Sequence, residues 1–431
     1  MKISLKSFFS SYLSWYLFFV SISGIVAVVG YSTSRALILY KDFFAILIPS
    51  LLLISFVVLR QKLAASFQYY LIVIIFGLIF VFTFILLTAL FSRFDVLRTI
   101  IQFRLELFIA FSLLTGALLL ALTPDEQYEI LMKLVRLYII LAVVNALITI
   151  GESVFAQIIY SVIGINPGPK FTEFGKSHGL LLRSVMGRFR AIGLLTGPFS
   201  LSEYLFFGML LVRYVRPSRQ LKYIILMAVA IYCSTSKTAA IMTALFLIYF
   251  FMRKFFSERF SLSITTFGTI IVFIVSFIIT TDKDLYQNTF SRGDATAENS
   301  VLFRMQNVEK VMGSPNYSDY YGAGYAVNGN AMVGADNADT VALDSAHIYI
   351  LSSYGNVGVI SCLLLFLMMC MLMYKFTMEG MPSLVYLYWV ISFLTNFMYN
   401  NPMLNYPGYA FPIIMSALFI SLRRYRPSPA H

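Results

Sequence analysis

Charge is what this 431-residue chain has least of: Asp, Glu, Lys and Arg together make 12% of it, against about 25% in an ordinary soluble domain. Apolar residues make 59%, and the mean hydropathy is +0.81. That balance excludes a water-soluble globular enzyme. It also excludes a disordered chain, which could not keep so much apolar surface in water. Cysteine is scarce. Cys233, Cys362 and Cys370 all fall inside apolar runs, so neither a disulfide framework nor a thiolate metal site is visible. Histidine is limited to His178, His347 and His431, which leaves few candidates for imidazole chemistry. No internal repeat is visible, and no soluble domain. What is abundant is aromatic, with 41 Phe and 28 Tyr, a composition suited to a helical bundle in lipid.

A helix needs about 20 predominantly apolar residues to cross a bilayer. Runs at 12–31, 43–59, 69–91, 99–122, 137–156, 193–212, 223–234, 238–252, 262–281, 347–374, 381–399 and 404–422 meet or approach that length. The sequence therefore predicts an all-α polytopic membrane protein with about 12 transmembrane helices. The short runs 223–234 and 238–252 are equally compatible with one broken hairpin around Ser234-Thr235-Ser236-Lys237. The first run follows Met1-Lys2-Ile3-Ser4-Leu5-Lys6, which resembles the charged start of a signal peptide. Its apolar stretch is too long, and no small-residue cleavage site follows, so a retained anchor is expected.

Lys and Arg in short loops set orientation. With a cytoplasmic N-terminus and alternating spans, Arg213, Arg216, Arg219 and Lys222 crowd one short inner loop, and the tail Arg423-Arg424-Tyr425-Arg426 also falls inside. Both termini are expected in the cytoplasm. The net charge of +12 thus reflects basic residues beside membrane spans and in loops, which argues against nucleic acid as a partner.

Two connections are long, and long ordered loops usually carry function. Both face outward on this topology. Loop A, 157–192, carries Lys170, Lys176, Arg183, Arg188 and Arg190 against Glu173, five basic to one acidic. Loop B, 282–346, carries Lys283, Arg292, Arg304 and Lys310 against nine acidic residues. The loops should attract one another, and the basic one could hold an anion. Membrane lipid head groups are one such partner. A specific phosphate site is favoured by arginine nearest the membrane, since guanidinium forks bind phosphate bidentately and keep their charge when partly buried. Inside the predicted spans stand Arg104, Glu106 and Glu203. Such groups in lipid tend to be functional or mutually paired. Arg104 and Glu106 are two apart, point to different helix faces and should pair elsewhere. Glu203 is placed to meet an Arg of loop A.

Gly187-Arg188-Phe189-Arg190-Ala191-Ile192-Gly193 and Gly197-Pro198-Phe199-Ser200 lead into one span, and Ser234-Thr235-Ser236-Lys237-Thr238-Ala239-Ala240 precedes another. Arg304-Met305-Gln306-Asn307 opens a helical stretch through Val311, followed by Ser314-Pro315 and Tyr321-Gly322-Ala323-Gly324-Tyr325. Asp344-Ser345-Ala346-His347-Ile348-Tyr349 then enters Tyr354-Gly355-Asn356-Val357-Gly358. In order and spacing this resembles the bacterial O-antigen polymerase and O-antigen ligase superfamily. The likeness covers about 187–360 in motifs and the whole chain in span layout. One departure is Lys237, where family members often carry Arg; Lys supplies a cation without a fork.

The resemblance implies a GT-C-like inner-membrane glycosyltransferase with two periplasmic loops. Its substrate would be an undecaprenyl-pyrophosphate-linked glycan, and a chain-length regulator is a possible partner. No cofactor or metal is expected if arginines stabilise the departing diphosphate, since fixed cations aimed at developing charge are often the largest catalytic term. The candidates are Arg190 and Arg304, then Arg188, Arg292, Lys237 and Arg183. His347, at a span entrance after an acidic loop, is the candidate base, although a structural hydrogen bond at a helix start would also suit it. Asp344 either orients it or caps the helix. Tyr321 and Tyr325, with Tyr317 and Tyr320, either stack on sugars or form the loop's own small core. Gly322 and Gly324 permit close approach to a ligand, or an ordinary turn. A polymerase of repeat units is the favoured reading. A ligase to lipid A-core shares its chemistry, and a transporter would more usually show matching halves and mid-membrane ionisable residues.

Overall fold

A computed structural model describes residues 4–34, 37, 39–58, 96–162, 180, 182, 184–185, 188–215, 218–281, 305–314, 317–328, 345–399 and 408–425. Those residues are almost entirely helical. We number the helices α1 (Leu5–Ser21), α2 (Ser23–Ser32), α3 (Ile48–Val58, entered through a π-helical turn, Phe43–Leu47), α4 (Val96–Leu118), α5 (Pro124–Val162) and α6 (Pro198–Val215). They continue as α7 (Gln220–Cys233), α8 (Lys237–Phe255), α9 (Glu258–Thr281), α10 (Ala346–Met378), α11 (Ser383–Tyr399) and α12 (Ala410–Ser421). A further short helix occupies 305–312, where the stretch through Val311 was expected. Among the described residues the strands are a minimal hairpin, β1 (Ser184–Val185) with β2 (Arg188–Phe189), two residues each and paired antiparallel, and 190–197 and 317–328 are turns and irregular backbone.

Among the described residues five helical stretches are long and apolar enough to cross a membrane, and the pair α1 and α2, bent by 74°, makes a sixth if counted as one span. This is consistent with a multi-pass membrane protein. The helices fall on the expected runs, with different ends. The run at 69–91 lies outside the described residues. Helix α5 continues through Val162, so loop A begins after that residue rather than at 157. Helix α6 starts at Pro198 rather than 193, because Gly193 takes φ +58 and Pro198 suits a first helical turn. The runs 223–234 and 238–252 become two helices separated by Ser234-Thr235-Ser236.

Local chemistry explains several ends. Helix α5 opens with a reciprocal cap: Thr123 N–H donates to Glu126 Oε2 at 3.0 Å, and Glu126 N–H donates to Thr123 Oγ1 at 3.4 Å. Helix α8 is capped by the Ser236 hydroxyl, which accepts from the Ala239 amide.

The core is built from aromatics and small residues where helices cross. Phe366 of α10 stacks on Phe393 of α11 at 3.9 Å, and Tyr138 of α5 on Tyr204 of α6 at 4.4 Å. At Gly208 a Cβ would meet Ala142 Cβ at 3.0 Å and Met227 Sδ at 3.2 Å, so α5, α6 and α7 approach closely there. Helix α10 turns a broad apolar face outward, with Leu365 64% and Met371 57% exposed, as a lipid-facing helix would.

From α4 to α12 successive helices run in opposite directions, which sorts their ends. One end holds the ion pairs Lys6–Glu129, Arg253–Glu258 and Arg423–Glu379. The other end holds Glu152 with Gly193, Arg104 with Asp42, and Ser345 with Met398. The second end carries the motifs singled out in the sequence.

Candidate active site at the motif-bearing end

The segment 190–197, between β2 and α6, is a strap tied down almost residue by residue. The Ala191 amide donates to Cys233 O at 3.3 Å. The Ile192 and Gly193 amides donate to Glu152 Oε2 at 2.9 and 2.6 Å. The Leu194 amide donates to Asn145 Oδ1 at 3.0 Å, and Leu194 O accepts from Gly24 N–H at 2.7 Å, at the bend between α1 and α2. Tyr160 donates its hydroxyl to the other oxygen of Glu152. The carboxyl therefore has three protein donors in place of water, the condition under which a polar group tolerates burial. Gly193 is required by more than its positive φ, because a Cβ there would lie 2.7 Å from Thr149 Oγ1.

Arg190 leads this strap. It is only 8% exposed. Its Nε donates to Ser234 O at 3.4 Å, and its guanidinium lies 4.9 Å from the centre of the Phe199 ring. The two motifs at 187–200 and 234–240 are thus in direct contact, though separated in sequence by most of α6 and α7. Ser234 also reaches α6, its hydroxyl lying 3.0 Å from that of Ser202. Next to it Thr235 sits at φ +50, which side-chain-bearing residues rarely adopt, and its buried hydroxyl makes no hydrogen bond. Strain and an unmet hydroxyl beside a buried cation are typical of binding sites. Lys237 follows at the exposed start of α8, where the helix dipole adds positive potential.

Loop B reaches the same end differently. Gly355, at φ +62 and ψ −161, breaks α10. The backbone groups around that break are met by 319–323: Ala323 N–H donates to Ser352 O at 2.7 Å, Asn356 N–H to Asp319 O at 2.8 Å, and Val357 N–H to Tyr320 O at 3.3 Å. Asn328 adds a side-chain bond to the Ser352 hydroxyl at 2.9 Å. A Cβ on Gly322 would lie 2.4 Å from Ser352 O, and one on Gly355 would lie 2.4 Å from Tyr320 O. Gly322 therefore serves backbone-to-backbone docking of the loop on α10. Gly324 also has positive φ and lies in the turn that follows.

Beneath this docked loop is a second, half-buried carboxyl. Glu106 of α4 accepts from the Tyr349 hydroxyl at 2.5 Å and from Gln102 at 3.4 Å, and Gln102 also donates to Tyr349 at 3.0 Å. Tyr325 lies beside the same carboxyl, and burial first, then Glu106, pushes its hydroxyl far above the ordinary value. Tyr325 is buried while Tyr321 is 61% exposed. Of the candidate stacking tyrosines, Tyr321 and Tyr320 present their rings to the outside, and Tyr325 packs under the loop against Phe103 of α4 and Tyr354 of α10.

His347 stands in the first turn of α10. Its ring contacts Phe277 of α9 at 5.7 Å and Phe397 of α11 at 5.8 Å. It shares the motif-bearing end with Arg190. Between them, Phe199 under the Arg190 guanidinium lies one turn before Glu203 on α6, Glu203 accepts from Asn396, and Phe397, next in the chain, faces His347. Glu203 does not meet an arginine of loop A, as was expected of it. It is held by Asn396, by Ser392 at 3.0 Å and by Tyr388 at 3.4 Å, all from α11, because α6 packs directly on that helix. Arg104 and Glu106 do part company: Arg104 makes a two-point ion pair with Asp42 at 2.6 and 2.5 Å.

Arg183, Arg292, Arg304, His178 and Asp344 lie outside the described residues, as does the Arg188 side chain, whose backbone forms β2. Sequence reasoning missed Glu152. The signal was present, an ionisable residue within the expected span 137–156, the same criterion that picked out Glu106 and Glu203. Among the described residues no group of three or more His, Cys, Asp or Glu is placed to share a metal ion. No protein-family model, curated protein or solved structure matches this chain.

The arrangement gathers a buried guanidinium, a strained hydroxyl-bearing turn, a helix N-terminus with a lysine, and an imidazole at one end of an apolar bundle. It can attract and orient an anionic group at the membrane boundary. The cation is held by the Ser234 carbonyl and the Phe199 ring, in a place fixed before charge develops nearby.

Proposed function

We propose that the protein is a glycosyltransferase of the O-antigen polymerase type, which joins oligosaccharide repeat units carried on undecaprenyl pyrophosphate at the periplasmic face of a bacterial inner membrane. The observation that carries this reading is the contact of buried Arg190 with the Ser234–Lys237 turn. It unites two of the motifs on which the likeness to that superfamily rests. In this reading Arg190, with Lys237 and the arginines of loops A and B, binds the diphosphate of the donor and stabilises it as it departs. The acceptor hydroxyl gives up its proton to His347, or to a base His347 positions, as the new glycosidic bond forms. Exposed Tyr320 and Tyr321 offer ring faces to sugars on the loop surface.

Transport is the second reading, and one observation favours it: Glu106, Glu152 and Glu203 are carboxyls enclosed by helices rather than by solvent. Their hydrogen-bond partners are all fixed protein groups, which suits structural anchors better than a moving ion path.

The surface polysaccharide of a deletion strain separates the alternatives. Lipid A-core capped with a single repeat unit supports the polymerase. Accumulation of lipid-linked polymer identifies a ligase. Lipid-linked single units trapped on the cytoplasmic face identify a transporter.

A further inference from the structure

Glu203, one turn after Phe199 on α6, is buried, and its carboxyl gathers more than one helix. Asn396 donates to one oxygen, while Ser392 at 3.0 Å and Tyr388 at 3.4 Å donate to the other. The Asn396 amide also donates to the Tyr409 hydroxyl at 3.0 Å, just before α12, and lies 3.9 Å from Met242 Sδ of α8. One carboxyl and one amide, both buried, thus join α6, α8, α11 and the start of α12.

Three of those helices lead to groups of the candidate site. On α6, Phe199 lies under the Arg190 guanidinium. Lys237 opens α8, the helix that carries Met242. On α11, Phe397 follows Asn396 and faces the His347 ring. The link to His347 is doubled, because the Ser345 hydroxyl at the start of α10 donates to Met398 O at 2.8 Å. Helices in lipid have no hydrophobic drive to associate, so buried polar contacts help to set their register. A slip of one residue moves a helix by about 1.5 Å, which takes a hydrogen bond out of range. Slippage of α11 on α6 would break all three bonds to Glu203 together. We propose that Glu203 is a positioning residue, which through Asn396 fixes the place of His347 relative to Arg190. The tether is geometric, and its catalytic consequence rests on the glycosyltransferase reading.

Side-chain length separates the variants. Glu203→Gln keeps the length, with a carbonyl for Asn396 and an amide for the Ser392 and Tyr388 hydroxyls, which can accept as well as donate. Glu203→Asp keeps the carboxyl on a side chain one methylene shorter, so α11 must move to meet it. Asn396→Ser cuts the link beside Phe397 and leaves Ser392 and Tyr388 on the carboxyl.

The test compares these three variants with the wild type, all full length and in detergent, by elongation kinetics on lipid-linked repeat units, melting and hydrogen–deuterium exchange. Glu203→Asp and Asn396→Ser should each lower kcat by about tenfold to a hundredfold, the cost of a displacement near 1 Å at a reacting group. KM for the donor should change little, because the strap and Ser234 hold Arg190 without Glu203. Glu203→Gln should restore kcat. Exchange of amides 349–352 should quicken in Glu203→Asp and Asn396→Ser but not in Glu203→Gln, with 373–378 at the far end of α10 unchanged in all. Lower melting temperatures with kcat of the folded protein unchanged would overturn the proposal, as would unchanged exchange at 349–352 in both tether-breaking variants. If the wild type elongates nothing, the glycosyltransferase reading fails and the exchange rates decide the tether by themselves.

Discussion

Glu152 Oε2 accepts the Gly193 amide at 2.6 Å, joining the end of α5 to the strap that presents Arg190. The same oxygen holds the Ile192 amide. Glu152→Ala should leave both amides without a protein partner, at about 1–3 kcal/mol for each. Glu152→Gln keeps one carbonyl oxygen and should lose less. The measurement pairs a melting curve in detergent with donor-substrate kinetics. Because Glu152 positions Arg190, Glu152→Gln is expected to raise KM for the lipid-linked donor while the melting temperature of the protein changes little. A purely structural role would lower stability with KM unchanged.

The docking of Gly322 against Gly355 gives a second prediction. Gly355→Ala and Gly322→Ala each place a methyl on backbone atoms 2.4 Å away and force a residue with a side chain into positive φ. The backbone strain alone costs about 1–3 kcal/mol. Limited proteolysis should cut 317–328 faster in either variant. Gly151→Ala, where nothing lies within 4 Å, is the control and should leave the cleavage rate unchanged.

Part of this arrangement was legible in the sequence and part was not, for physical reasons. The separation of Arg104 from Glu106 followed from helical geometry alone, and the structure sends them to Asp42 and Tyr349. The contact between Arg190 and the Ser234 step rests on long-range packing, which periodicity does not encode; only the resemblance of the motifs hinted at it. The break at Gly355 was hidden because 347–374 reads as one long span, and Gly355 and Gly358 inside it do not by themselves say which of them turns the helix. The Glu203 partners were misassigned because the neighbour of α6 is α11, a relation absent from local sequence. Glu152 could be marked as an ionisable residue within a span, but its partners are backbone amides about forty residues away, which no side-chain pattern names.

The far end should respond to acid. Arg423 donates to Glu379 at 3.0 Å and Arg424 at 3.1 Å. The hydrogen bond from Arg423, followed by the charges of Arg424 and Arg423, holds the Glu379 carboxyl below its ordinary value of 4.5. A carboxyl with a depressed folded value contributes stability that is present above its unfolded value and is lost as pH falls through the folded one. The wild-type melting temperature should therefore fall between neutral pH and pH below 4.5 by more than that of Glu379→Gln. Identical pH profiles for the two proteins would show that the pair contributes nothing.

His347 supplies a fourth prediction. Its ring is held between Phe277 and Phe397. His347→Phe should keep that aromatic packing and melt near the wild type, yet lose transfer of the glycan. His347→Ala should lose both. Wild-type transfer by His347→Phe would remove the imidazole from the mechanism.

The most direct measurement is elongation of lipid-linked repeat units by purified protein in detergent, without a sealed membrane, comparing wild type with Arg190→Gln and Arg190→Lys. Long products from the wild type, none from Arg190→Gln at equal protein level, and reduced elongation by Arg190→Lys are the predicted results, because lysine keeps the charge and loses the fork. Products of unchanged length from Arg190→Gln would contradict the account.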